Sequence, residues 1–60
     1  MEGKNRFLKV YSNLSLDVRR EIIALVHNKP ITWNVAYEEI ENETKLGQEI
    51  VKKLMELDFI

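Results

Sequence analysis

Few side chains in this sequence are of the types that usually carry out chemistry. His27 is the only imidazole, and there is no cysteine, so thiol nucleophiles, disulfides and zinc–thiolate sites are excluded. An acidic run is expected to form a solvated face rather than a metal site, because most of its carboxylates project from one short helix. The run consists of Glu38, Glu39, Glu41 and Glu43. With no glycine-rich phosphate loop and no paired nucleophile and base, we expect a protein that is not an enzyme and has no cofactor, metal or small-molecule substrate.

The length and composition predict one small domain over residues 1–60. The chain has 60 residues, of which 45% are apolar, with one proline and two glycines. A chain of this size is near the lower limit for folding alone, so its helices must pack densely. No apolar run reaches the ~20 residues of a membrane span, and no apolar signal-peptide stretch follows Met1. We therefore expect a cytoplasmic protein with no membrane partner.

Apolar residues at helical spacing predict three amphipathic helices, at about 15–27, 32–41 and 45–57. Ser15, Thr32 and Thr44 are the predicted N-caps, and Pro30 ends the first helix. The predicted buried stripes are Val18, Ile22, Ile23, Leu25 and Val26; Trp33, Ala36, Tyr37 and Ile40; and Leu46, Ile50, Leu54 and Leu57. Together they predict an all-α, three-helix, helix-turn-helix-like bundle.

The N-terminal segment is harder to interpret. Residues 1–5 are predicted to form a loose tail, and Arg6–Tyr11 is short, aromatic and β-branched. As a strand this segment has no partner within the chain, so it must pair with a second copy, pack as an extended arm, or belong to a helix. We predict a short extended arm and leave the choice between strand and helix open.

The C-terminal half resembles the helix-turn-helix of winged-helix transcription regulators. The resemblance lies in a helix, a turn and a longer helix ending in Lys52-Lys53-Leu54, an acidic residue and a short apolar segment. It implies double-stranded DNA as the partner, with glutamine contacting base edges and lysines contacting phosphates. The implied DNA-facing residues are Thr44, Lys45, Gln48, Lys52 and Lys53. Two acidic residues, Glu49 and Glu56, lie on the same predicted face and would repel phosphate.

The N-terminal half offers an alternative. Arg6–Tyr11 as a strand, followed by the helix predicted at 15–27, resembles ribbon-helix-helix repressors, whose paired strands lie in the major groove. The resemblance implies Lys4, Arg6 and Lys9 as groove-facing residues. Residues 1–30 carry six basic and three acidic side chains, and residues 31–60 carry three basic and seven acidic ones. The acidic half would then be free to bind a partner protein, as in antitoxins of that family.

A third hypothesis is a module that binds a partner protein or a second copy of itself. Trp33, Tyr37 and Tyr11 are of the types found at interface hot spots, although the helical spacing of Trp33 and Tyr37 favours the core. Val35 and Met55 lie off the buried stripes and could extend an exposed apolar patch. The sequence favours a nucleic-acid-binding or regulatory module of helix-turn-helix type, with a protein-binding, antitoxin-like or homodimeric domain as the alternative.

Overall fold

The computed structural model describes residues 1–60, and it combines three α-helices with a two-stranded antiparallel sheet. The elements are α1 (Lys4–Ser12), β1 (Ile22–Val26), β2 (Lys29–Thr32), α2 (Trp33–Glu41) and α3 (Lys45–Glu56), with a short 3-10 helix (Val18–Arg20) before β1. The predicted all-α class is therefore wrong, and the fold is α+β. None of the helices combines the length and the apolar character needed to cross a bilayer.

The helix predicted at 15–27 is wrong, because the segment contains only a three-residue 3-10 helix and then forms β1 and the start of a β-hairpin turn. His27 and Asn28 connect β1 to β2 and both have positive φ, 53° and 64°. Two such residues form a tight turn whose twist matches that of the paired strands, and asparagine tolerates this conformation well. The hydroxyl of Ser15, predicted to cap a long helix, accepts a hydrogen bond from the Val18 N–H (3.3 Å), but the N-cap position of the 3-10 helix is Asp17.

The extended N-terminal arm is also wrong, because residues 4–12 are helical. Phe7 and Tyr11 are one helical turn apart, so they lie on the same face of α1. The Phe7 ring is fully buried, and its centroid is 5.8 Å from those of both Tyr11 and Trp33. Burial of these rings against α2 favours the helix over the extended form that aromatic and β-branched residues prefer in isolation.

Helices α2 and α3 lie within the ranges 32–41 and 45–57 that the sequence predicts. The Thr32 hydroxyl accepts from the Val35 N–H (3.1 Å), and the Thr44 hydroxyl accepts from the Gly47 N–H (2.9 Å). Each threonine thus satisfies a backbone donor that the first turn leaves unpaired. The two helices form a helix-turn-helix whose connecting turn is residues 42–44.

All the main elements contribute to a single core. Phe7 comes from α1, Val26 and Ile31 come from the hairpin, and the helix-turn-helix supplies the rest. The buried residues are Phe7, Val26, Ile31, Trp33, Ala36, Ile40, Ile50, Val51 and Leu54. Trp33 is buried as predicted, whereas Tyr37 and Leu57, also predicted in the buried stripes, are partly exposed.

An ion pair joins the start of α1 to the turn between α2 and α3. The Lys4 Nζ lies 3.0 Å from the Glu43 Oε2 and 3.3 Å from the Glu41 carbonyl oxygen. The hydrogen bond to Glu43 raises the pKa of Lys4 above its ordinary 10.5, and the same bond lowers the pKa of Glu43 below its ordinary 4.5. The N-terminal ammonium group, 3.7 Å from the Glu43 Oε1, contributes to the lower pKa of Glu43.

This ion pair predicts how stability depends on pH. The contribution of Glu43 is fully present above pH 4.5 and is lost as the pH falls through its lowered folded-state pKa. The contribution of Lys4 is present below pH 10.5 and is lost as the pH rises through its raised pKa. In urea titrations, Glu43→Gln should therefore lose less stability than the wild type on acidification below pH 4.5. Glu56→Gln, which removes an unpaired carboxylate, is the control, and parallel wild-type and Glu43→Gln curves would contradict the prediction.

Candidate nucleic-acid interface

The outer face of α3 carries three polar side chains with no partner inside the molecule. Lys45, Gln48 and Lys52 are spaced three and four residues apart, so they form one stripe along the helix. All three are exposed, and none takes part in a side-chain hydrogen bond or an ion pair. The structure thus brings three of the five predicted DNA-facing residues together on a solvent-exposed surface.

The fourth residue, Lys53, lies beside this stripe and borders a groove between α3 and the hairpin. The groove has a volume of about 300 Å³. Its lining residues are Leu25, Val26, His27, Glu49, Lys52, Lys53 and Glu56. Lys53 is exposed and unpaired, so its ammonium group is open to solvent on the hairpin side of the helix.

The hairpin turn holds one of the two acidic side chains of α3. The Nε2 of His27 lies 2.6 Å from the Glu49 Oε2, a distance at which the ring N–H donates to the carboxylate. This contact engages the Glu49 carboxylate with the hairpin turn. Glu56 makes no ion pair and remains the one unpaired carboxylate of α3.

Sequence reasoning missed this role of His27, because it placed the residue at the end of a helix. The available signals were the short apolar run Ile22–Val26, which is compatible with a strand, and Asn28, a residue that tolerates positive φ.

The fifth predicted residue, Thr44, is committed to structure. Besides capping α3, its hydroxyl lies 2.7 Å from the Glu39 Oε1, to which it donates a hydrogen bond. The side chain is half-buried. A hydroxyl that is both donor and acceptor inside the molecule holds the start of α3 in place.

The residues of the alternative DNA-binding arm lie on α1. Lys4 is paired with Glu43, and an Arg6 guanidinium N–H donates to the Ile60 carbonyl oxygen at 2.5 Å. Lys9 is exposed and has no side-chain partner. Because this segment is helical, it does not provide the extended strand that a shared ribbon requires, and two of its three basic groups are engaged.

A second groove lies on the other side of the lysine stripe. It has a volume of about 560 Å³ and separates α3 from the N-terminus. Its lining residues are Met1, Glu2, Glu43, Gln48, Val51, Lys52 and Met55. Since Lys52 borders both grooves, the stripe forms the ridge between them. No three acidic or histidine side chains converge closely enough to hold a metal ion.

The fold and this surface define a small α+β domain in which a β-hairpin precedes a helix-turn-helix and packs beside its second helix. Comparisons with protein-family models, curated proteins and solved structures find no match to this chain.

Proposed function

We propose that the protein binds double-stranded DNA through the outer face of α3. The observation that carries the proposal is the exposed, internally unpartnered stripe of Lys45, Gln48 and Lys52 on the second helix of a helix-turn-helix. Lysine side chains bind phosphates as mobile point charges, and a glutamine amide can form two hydrogen bonds with an adenine edge. This combination provides both positioning and base contacts on one surface.

The charges of the surface set the expected strength of binding. The net charge of the chain is −1, so attraction to DNA must come from the local lysine cluster. Two to three phosphates neutralised by Lys45, Lys52 and Lys53 would give a slope of log K against log salt of roughly −2 to −3. We therefore expect weak binding of general sequences that weakens steeply as salt is added.

Amide chemical shifts of the ¹⁵N-labelled protein, titrated with a short DNA duplex, test the proposal directly. At roughly 50 mM salt, where electrostatic binding is strong, the peaks of residues 45–53 should move, and added salt should reverse the movement. Peaks of α1, which carries the arm residues, should remain in place. If the α3 peaks stay fixed while those of α1 move, the interface proposed on α3 is wrong.

A pair of charge-reversal variants separates this surface from general electrostatics. Lys52→Glu places a negative charge at the centre of the stripe and should weaken binding about tenfold or more, since it converts a phosphate contact into a repulsion. Lys9→Glu changes the net charge equally but lies on α1, where it is exposed and unpaired, and should have a small effect. Both affinities are measured by fluorescence anisotropy with the same labelled duplex. Equal losses in the two variants would contradict a localised interface.

A further inference from the structure

Strand β1 has an outer edge whose backbone groups form no hydrogen bond within the chain, although the strand also borders the groove beside α3. The sheet has two strands, so each strand is paired along one edge only. Outside the sheet, no backbone or side-chain hydrogen bond involves the backbone of Ile22–Val26. All five residues of β1 are apolar, so this edge has none of the charged or proline residues that usually prevent strand pairing.

The edge of β2 differs, because Lys29 and Pro30 protect it. Val26 and Lys29 flank the two-residue turn, where the closing pair of such a hairpin is hydrogen-bonded. The next pair, Leu25 and Pro30, is then not hydrogen-bonded, since such pairs alternate in antiparallel sheets. The N–H and C=O of Leu25 therefore point to the outer edge of β1. On β2, proline lacks the outward N–H, and the charge of Lys29 disfavours association.

Large apolar side chains are exposed on β1 and in the connection that precedes it. Ile22 is 62% exposed and Leu25 is 61% exposed, both on the strand itself. Leu16, in the connection before the strand, is 74% exposed and is the most exposed large apolar residue of the chain. A strand edge with unpaired backbone groups and exposed apolar side chains is suited to binding another strand.

We infer that β1 pairs antiparallel with β1 of a second copy of this chain, about a two-fold axis near Leu25, to form a four-stranded sheet. An identical strand fits because a two-fold axis makes the antiparallel pairing self-complementary, so Leu25 lies next to Leu25 of the partner subunit. The outer edges of the new sheet are then both β2, which Lys29 and Pro30 protect, so assembly stops at two chains. The inference goes beyond DNA binding and rests on β1 rather than on the lysine stripe, although Leu25 also lines the groove beside Lys53.

The mass in solution tests this pairing. Sedimentation equilibrium of the full chain over a range of concentrations should show a monomer–dimer equilibrium that is complete at high micromolar concentration. Leu25→Lys should shift the protein to the monomer with an unchanged far-ultraviolet circular dichroism spectrum, because the side chain is already exposed. Val35→Lys is the matched control, since Val35 is 42% exposed but lies on α2, and it should dimerise like the wild type.

Disulfide trapping tests the register. The chain has no cysteine, so a single introduced thiol can pair only with its counterpart in another copy. Directly opposed residues of an antiparallel pair have Cα atoms about 4.5–5.5 Å apart, within the span of a disulfide. With diamide as oxidant, Leu25→Cys should form a covalent dimer much faster than Val35→Cys. Equal rates, a wild-type monomer at high micromolar concentration, or a series of larger species would each overturn the two-fold pairing.

Discussion

Phe7→Ala should be largely unfolded at room temperature. Phe7 is completely buried, and its ring packs between those of Tyr11 and Trp33. Its removal therefore leaves a cavity between α1 and α2. Replacing a buried phenylalanine by alanine costs about 3–5 kcal/mol. The single core of a chain this short rarely supplies more than about 3–5 kcal/mol of stability, so the substitution removes most or all of it.

Urea denaturation followed by far-ultraviolet circular dichroism measures this loss. The expected result for Phe7→Ala is a transition midpoint close to zero denaturant or no cooperative transition. Phe59→Ala is the control, because Phe59 is 49% exposed, and it should lower the stability by less than about 1 kcal/mol. Similar losses in the two variants would show that Phe7 is not the central contact between α1 and the rest of the core.

Gly47→Ala should destabilise the protein, although alanine normally favours a helix over glycine. A Cβ at this position would lie 2.3 Å from the Glu39 carbonyl oxygen and 3.0 Å from the Ile40 backbone nitrogen. These are backbone atoms of α2 and cannot move aside as a flexible side chain would. The gain in helix propensity is about 1 kcal/mol, whereas forcing two packed elements apart costs about 1–3 kcal/mol or more.

The test is whether Gly47→Ala lowers or raises the free energy of unfolding in urea denaturation. Gln48→Ala, at the next and exposed position of α3, serves as the control and should alter stability by no more than about 0.5 kcal/mol. Because Gly47→Ala would also displace α3 from α2, any DNA binding through α3, as proposed above, should weaken together with the stability. A variant more stable than the wild type would mean that the two helices have room for a methyl group at their closest approach.

The helix-turn-helix could be predicted from the sequence because several local signals agree. Thr32 and Thr44 are good N-caps, and the apolar residues that follow each of them recur at helical spacing. In the structure both threonines cap their helices, and Ile40, Ile50 and Leu54 are fully buried. Local preference and tertiary packing favour the same conformation here.

The hairpin could not be predicted in the same way, because its apolar residues are compatible with both a helix and a strand. Val18, Ile22 and Leu25 follow a helical spacing, whereas the short continuous run Ile22–Val26 is equally compatible with a strand. The turn decided the outcome, since His27 and Asn28 adopt positive φ, and Pro30 is compatible with an edge strand. Residues 6–11 were ambiguous for a similar reason, and the ring contacts of Phe7 determine their helical form.

In the candidate site too, the features that follow from local periodicity could be predicted, and those that depend on tertiary contacts could not. The exposed stripe on α3 follows from helical periodicity alone, so Lys45, Gln48 and Lys52 could be identified from the sequence. The pairing of Glu49 with His27 depends on the hairpin, which brings together residues 22 positions apart. The second role of Thr44, its hydrogen bond to Glu39, depends on how the turn places α2 against α3.

The stacked aromatic rings provide the protein with an internal optical reporter. The centroids of Tyr37 and Tyr11 are 4.5 Å apart, and the rings of Tyr11, Phe7 and Trp33 follow at 5.8 Å steps. At such short range, excitation absorbed by either tyrosine passes to the single indole, so the native chain should emit almost entirely as tryptophan. Separation of α1 from α2 would restore the emission of Tyr11 alone, because Tyr37 remains one turn from Trp33 on α2. Docking of the N-terminal helix can therefore be followed without any attached dye.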